Sequence, residues 1–379
     1  MVRSAIVWLA LAAAATAGNK NCKEIGTHIK VEARNGVFAL RVPQTEVEVT
    51  NFILKLTVQN GNYTDSILRD YKTVLQDYHL SGIYCEPDYG KTRGLQILTH
   101  GIGFDRSYWD HPWRNYQNSY VQAALDDGWS TLTWDRLGIG ASAHAHPLTD
   151  LQLFTEIKAL KQFTRYAKSA DLAGGKYKDK KIVHVGHSFG AALTMGMTSE
   201  SPELSDGIIL TGFSQVPDFV SEFALGGNFV SAQDVPNLRP HYKHGYLAPK
   251  SSIGVHQNFF APDTFEPELL KFVTERGQPA AMGELLTIGS LPKQSNFNGP
   301  VMIVTGDKDI PFCGGNCHNT KAINGSAADL LELSRNNFKA ASVFNTTIIK
   351  HAGHGLNLQH GALVTYRTIL DFIGDNVKA

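Results

Sequence analysis

Lys181-Ile-Val-His-Val-Gly186-His187-Ser188-Phe189-Gly190-Ala191-Ala192 decides how the rest of the chain is read. Its first five residues form a short apolar run with the length and β-branched content of a buried strand. The next five spell G-x-S-x-G, where the strand must turn sharply into a helix. Glycines flank the serine because a Cβ at either place would collide with neighbouring backbone. The serine hydroxyl is thereby held proud of the sheet, in a strained backbone conformation costing roughly 1–3 kcal/mol. Ala191 and Ala192 are small enough for the helix to pack close to the strand. G-x-S-x-G alone also fits an ordinary helix-cap serine after a glycine turn. Its place between a buried strand and a helix is what gives it weight.

Working outward, short apolar strands alternate with amphipathic helices. Strands are expected at Gly94–Thr99, Ser130–Trp134, Gly207–Thr211, Val301–Val304 and Thr347–Ile349. Helices are expected near Tyr120–Leu125, from about Leu151 to Ala167 and from about Ala362 to Ile373. In the middle one Leu153, Ile157, Leu160 and Thr164 share a face, with Thr149 or Asp150 as its cap. This rhythm predicts an α/β fold with a mainly parallel central sheet covered by helices. Two features depart from it. VFALRV and VEVTNFILKLTV, between Val37 and Val58, read as two or three leading strands. The long interval from Phe213 to Asn298, rich in Phe, Tyr, Pro and Gly, reads as a helical cap inserted into the sheet domain.

A serine needs a base, because its hydroxyl is a poor nucleophile at neutral pH. His354, in His351-Ala-Gly-His354-Gly-Leu-Asn, stands just after the last strand and before the last helix. The histidine needs a carboxylate to fix its tautomer and stabilise its cation. Gly306-Asp307-Lys308-Asp309 follows strand 301–304 and offers Asp307 and Asp309. All of these would lie at the carboxyl ends of strands, where ligand sites of open α/β sheets form. An oxyanion needs two backbone N–H donors. Phe189, after the nucleophile, supplies one, and Ile102 of His100-Gly101-Ile102-Gly103 is favoured over Gly103 for the other. His100 and His187 read as buried supports, His351 as structural, and Asp135 and Arg136 as turn-stabilising. Gly138-Ile-Gly140-Ala-Ser-Ala lacks the third glycine and the following acidic residue of a dinucleotide site. There is neither a Walker motif nor H-E-x-x-H, and the expected chemistry requires no metal or organic cofactor.

Composition bounds the function further. The 379 residues carry 35 basic and 35 acidic side chains, 42% apolar residues and only 18% charged ones. That excludes a disordered, self-repelling chain. Without basic runs it also argues against nucleic acid or an anionic membrane as the main partner. Residues 1–17 have the charged start, apolar run and Ala15-Thr16-Ala17 end of a signal peptide, and the run is too short to span a membrane. Secretion makes disulfides the expected state of the four cysteines, with Cys22–Cys85 and Cys313–Cys317 preferred among three possible pairings. Sequons at Asn62, Asn324 and Asn345 fit a secreted, glycosylated surface.

The motifs HGIG (100–103), DRLGIGAS (135–142), GHSFG (186–190), GDKD (306–309) and GHGLN (353–357) occur in one order. In these the chain resembles the α/β-hydrolase superfamily, in its lipase/esterase-like branch with a cap, from roughly residue 90 onward. The resemblance implies an α/β-hydrolase fold and a triad of Ser188, Asp309 and His354, with Asp307 as the fallback acid. It does not fix a substrate. The expected organisation is a signal peptide (1–17), an N-terminal elaboration joined to the sheet (18–90), the core's first half (91–213), the cap insertion (214–298) and the core's second half (299–379). The expected function is ester hydrolysis of a small, largely apolar molecule outside the cell. Acyl transfer, amide or C–C cleavage on the same triad, and a non-catalytic binding protein on this scaffold, are the alternatives. Oligomeric state is not readable.

Overall fold

A computed structural model describes residues 20–88, 91–323 and 325–378. The expected signal peptide and the sequon residue Asn324 lie outside the described residues. Chain order is β1 (Asn21–Phe38), α1 (Glu46–Leu56), α2 (Tyr63–Ile67), β2 (Leu68–Glu86), β3 (Gly94–Thr99), α3 (Tyr120–Asp126), β4 (Ser130–Trp134), α4 (Leu153–Lys168), β5 (Lys181–His187), α5 (Phe189–Glu200) and β6 (Gly207–Thr211). Then come α6 (Val220–Gly226), β7 (Phe229–Ser231), β8 (Tyr246–Pro249), α7 (Ser252–Phe259), α8 (Pro267–Arg276), β9 (Ala280–Ala281) and α9 (Met282–Thr287). The chain closes with β10 (Val301–Gly306), α10 (Ile310–Cys313), β11 (Phe344–Ile349) and α11 (Ala362–Asn376).

Eight strands form the main sheet in the order β1-β2-β4-β3-β5-β6-β10-β11. From β4 to β11 every pairing is parallel, while β1–β2 and β2–β4 are antiparallel. The central strands are buried along their whole length, as near-continuous apolar runs require between two layers of helices. This is the α/β-hydrolase fold. The interval after β6 holds four helices and a small antiparallel sheet, β7-β8-β9.

The N-terminal region differs from its expected strands. VEVTNFILKLTV folds into the helix α1 and not into a strand. Thr45 accepts from the Glu48 N–H (3.2 Å) while the Glu48 carboxylate accepts from the Gln44 N–H (2.7 Å), which fixes the first turn. Val49, Phe52 and Ile53 are buried at helical spacing, and these outweigh the β-branched residues between them. The helix packs against β7 and α6, so the leader props the segment inserted after β6. The true leading strands are longer and lie on either side: β1 and β2 pair over most of their length, and Cys22–Cys85 joins them directly opposite each other. The second disulfide is Cys313–Cys317. α4 begins after Gln152, not Thr149 or Asp150, because the Gln152 amide is engaged by the Gly36 backbone of β1.

His184, in the middle of β5, is fully buried between the Thr164 and Ser205 hydroxyls (2.9 Å each). Burial, assisted by Lys168, pushes its pKa down to about 3. The folded chain therefore keeps His184 neutral, whereas the unfolded chain takes up a proton below ~6.5. This contribution is complete above ~6.5 and is lost as pH falls from there towards 3. In urea titrations at pH 7, 5.5 and 4, His184→Gln should lose stability less steeply than the natural protein. Parallel slopes would show that His184 is not part of the acid lability.

Candidate active site

Five loops meet at the carboxyl ends of β3, β5, β6, β10 and β11, which are consecutive in the sheet. Ser188 follows β5 with φ 55° and ψ −118°, in the left-handed half of the map where a side chain is strained. The close packing behind it explains the two glycines. A Cβ on Gly186 would lie 2.3 Å from the Gly190 carbonyl oxygen, and one on Gly190 would lie 2.3 Å from the Thr99 carbonyl oxygen. Ser188 occupies the N-cap position of α5, yet its side chain makes no capping hydrogen bond. Its hydroxyl is thus not engaged as an ordinary helix cap.

His354 and Asp309 are both fully buried, with Nδ1 of the histidine 2.8 Å from Oδ2 of the aspartate. The carboxylate also accepts from the Thr305 hydroxyl and from the Phe312 N–H (2.9 Å). An ionised carboxylate only accepts, so Nδ1 carries the proton and Nε2 is left as the basic nitrogen. Among the described residues Nε2 of His354 has no hydrogen-bond partner. The imidazole stands beside the ends of β5 and β6: its ring lies 4.8 Å from that of His187, the Ser188 N–H donates to the Thr211 carbonyl (2.8 Å), and a Cβ on the next residue, Gly212, would lie 2.9 Å from Cε1 of His354. Asp307 is elsewhere, accepting from the Ala352 N–H at 3.2 Å.

The loop after β3 runs against the serine, since a Cβ on Gly101 would lie 2.8 Å from Cβ of Ser188. Among the described residues neither the Ile102 nor the Phe189 N–H donates to a protein acceptor. His100 shapes this loop. Its Nε2 accepts from the Arg136 N–H (3.0 Å), which leaves Nδ1 to donate to the Gly101 carbonyl (2.9 Å). Burial and the neighbouring Arg136 charge hold His100 well below the usual histidine range, so it stays neutral. His187 is likewise depressed, by burial and then by His354. Its ring stacks on Tyr108 at 4.4 Å. His351 is exposed in a left-handed turn, with φ 55°. Among the described residues no group of His, Cys, Asp and Glu is arranged to hold a metal ion.

With this geometry in place, a family model described as alpha/beta hydrolase family matches residues 96–365, well over half the sequence. The chain belongs to the alpha/beta hydrolase family. No curated protein matches it in sequence. Among solved structures it is similar to a thermophilic esterase from Thermogutta terrifontis, with 14% identity, TM-score 0.55, and 80% of this chain and 95% of that chain covered. It is also similar to Rv0554 from Mycobacterium tuberculosis, with 16% identity, TM-score 0.50 and coverage of 80% and 95%. A probable hydrolytic enzyme from Pseudomonas aeruginosa matches at 14% identity, TM-score 0.51 and coverage of 79% and 90%. At these identities the likeness concerns the fold.

Several residues that complete this alpha/beta hydrolase site carry no sequence signal. Gln359 is buried and uses both ends of its amide. Its oxygen accepts from the Gly353 N–H (2.7 Å), the Ala261 N–H (3.0 Å) and the Thr264 hydroxyl (2.9 Å). Its nitrogen donates to the Gly355 and Phe259 carbonyls at 3.1 and 3.3 Å. One side chain thus clamps both neighbours of His354 to the segment inserted after β6. From that segment the Phe259 ring stacks 5.9 Å from His354 and 4.6 Å from Phe104. Arg136, expected to stabilise a turn, is instead fully buried between Glu156 of α4 and Glu284 of α9, with Phe189 4.8 Å from its guanidinium. Burial raises Glu156 well above the carboxylate range, with Arg136 opposing that shift and Glu284 adding to it.

Removing Gln359 would leave the buried Gly353 and Ala261 N–H groups without an acceptor, each costing about 1–3 kcal/mol unless water enters, while the Thr264 hydroxyl keeps the Ala261 carbonyl and the Phe259 and Gly355 carbonyls keep the Gly355 and Leu358 N–H groups. Gln359→Ala should therefore lose at least about 2 kcal/mol in urea denaturation. A loss below about 1 kcal/mol would mean that the clamp is dispensable.

Proposed function

We propose that the protein is a secreted serine hydrolase cleaving ester bonds of a small, largely apolar substrate. The observation that carries this reading is the Asp309–His354 pair, whose Nε2 has no partner among the described residues and whose ring lies 4.8 Å from that of His187, the residue before the strained, uncapped Ser188. In the proposed cycle Ser188 Oγ attacks the ester carbonyl carbon while His354 Nε2 takes its proton. Asp309 holds the tautomer and balances the imidazolium. The tetrahedral oxyanion is received by the Ile102 and Phe189 N–H groups. Collapse breaks the bond to the alcohol, which leaves with the proton from His354. Water, deprotonated by the same nitrogen, then releases the acid from Ser188.

The apolar preference is supported by the rings of Phe104, Phe259 and Phe312 around the histidines. In this reading residues 214–298 act as the cap over the site. Export is supported by the character of residues 1–17, by the two disulfides and by exposed sequon residues at Asn62 and Asn345. No helix among the described residues is long and apolar enough to cross a membrane.

Ser188→Ala should lower kcat for a p-nitrophenyl short-chain ester by on the order of 10⁴-fold or more while leaving the thermal melt unchanged. Asp307→Asn should keep most of the rate, whereas Asp309→Asn should lose it through the wrong histidine tautomer. Retained turnover in Ser188→Ala, or equal losses at the two aspartates, would overturn the assignment.

A further inference from the structure

Away from the five loops, the hairpin β1–β2 and helix α4 enclose a groove of about 480 Å³. Its charged lining is Lys30, Glu32 and Arg34 from β1 with Lys158, Lys161 and Arg165 from α4. Five of these six are cations, in a chain whose charges of either sign are equal in number. Lys158 pairs with Glu200, and Asp77 stands across from Lys30 in the strand register without forming an ion pair. Arg34, Lys161 and Arg165 have no carboxylate partner among the described residues. Unpaired like charges gathered in one concavity repel each other, and a bound anion would relieve that repulsion.

The spacing of the cations sets the shape of the anion. Lys30 and Arg34 stand on one face of an extended strand about 13 Å apart along its axis, with Glu32 between them. Lys158, Lys161 and Arg165 follow one side of a helix over about 10 Å. Five cations spread over these lengths, with Glu32 the one carboxylate in the lining, suit a polymer with repeating charges and extend too far for one small anion. Thr73, Leu75 and Gln162 also line the groove; no aromatic ring is among its lining residues, and the nearby Tyr71 ring is covered by the Arg34 guanidinium at 5.8 Å. That leaves no platform for stacking nucleobases. The groove is concave, which suits a chain and not a flat bilayer, and its hydroxyl and amide suit sugar hydroxyls. We propose that this groove docks a linear anionic polysaccharide carrying repeated sulfate or carboxylate groups. Such docking would hold the protein on an anionic polymer without involving the loops around Ser188, and it does not depend on the hydrolase reading.

The test is binding of the full-length natural protein to immobilised dextran sulfate across a salt series. It is compared with the triple variant R34E/K161E/R165E. A control with the same change of net charge is K55E/K271E/K339E, three exposed cations outside the groove. The natural protein and the control should be retained alike. The groove variant should bind at least about tenfold more weakly, with a shallower salt dependence. A second readout covers a variant that fails to fold: saturating dextran sulfate should protect Lys161 of the natural protein from acetylation more than Lys271. The proposal fails if the natural protein is not retained, if the control loses as much as the groove variant, or if Lys161 is not protected. It also fails if single-stranded DNA or anionic phospholipid vesicles bind more tightly than dextran sulfate.

Discussion

The backbone contact between β5 and α5 is the constraint on which the site depends. Gly190 approaches the Thr99 carbonyl and Gly186 approaches Gly190 so closely that neither position can hold a Cβ. This approach makes the turn tight enough to force Ser188 into a left-handed conformation. It also brings the end of β3 beside Ser188, and with it the loop that carries Ile102. A wider turn would relax the serine and separate it from that loop in one movement. The cost of the strained residue is carried by α5, whose side chains are buried almost to its last residue.

Around this turn the sheet and the inserted segment contribute differently. The sheet's loops bring Ser188, Asp309, His354 and two unengaged N–H groups together. The segment after β6 seals and braces them. Gln359 ties Ala261 and Phe259 to both sides of His354, and Glu284 reaches Arg136, whose backbone holds His100 and whose guanidinium covers Phe189. A movement of that segment would therefore be felt by His354 and by the loop carrying Ile102. The leader joins the same assembly, since α1 packs on β7 and Lys250 pairs with Glu46.

Much of the core was legible because its signals are local. Buried parallel strands are apolar runs, and G-x-S-x-G records a backbone approach only glycine permits. The choice of Asp309 over Asp307 followed from the family resemblance; in the fold Asp309 lies on His354 and Asp307 on the Ala352 N–H. The failures have equally physical causes. VEVTNFILKLTV is rich in β-branched residues, but its fate was decided by a cap at Thr45 and by burial of Val49, Phe52 and Ile53. Gln359, Glu156 and Glu284 were invisible because their partners lie far away in sequence and a single polar residue has no periodicity. The groove between β1 and α4 escaped for the same reason: its cations come from two distant stretches, neither of which is a basic run.

The central claim is that Ser188 is a nucleophile made reactive by His354. Its most direct measurement is labelling of the folded protein with a fluorophosphonate, followed by mass spectrometry of the peptides. The account predicts one adduct per chain, on Ser188, and its near-complete loss in His354→Gln. No adduct on folded protein, an adduct on another serine, or undiminished labelling without the histidine would contradict it.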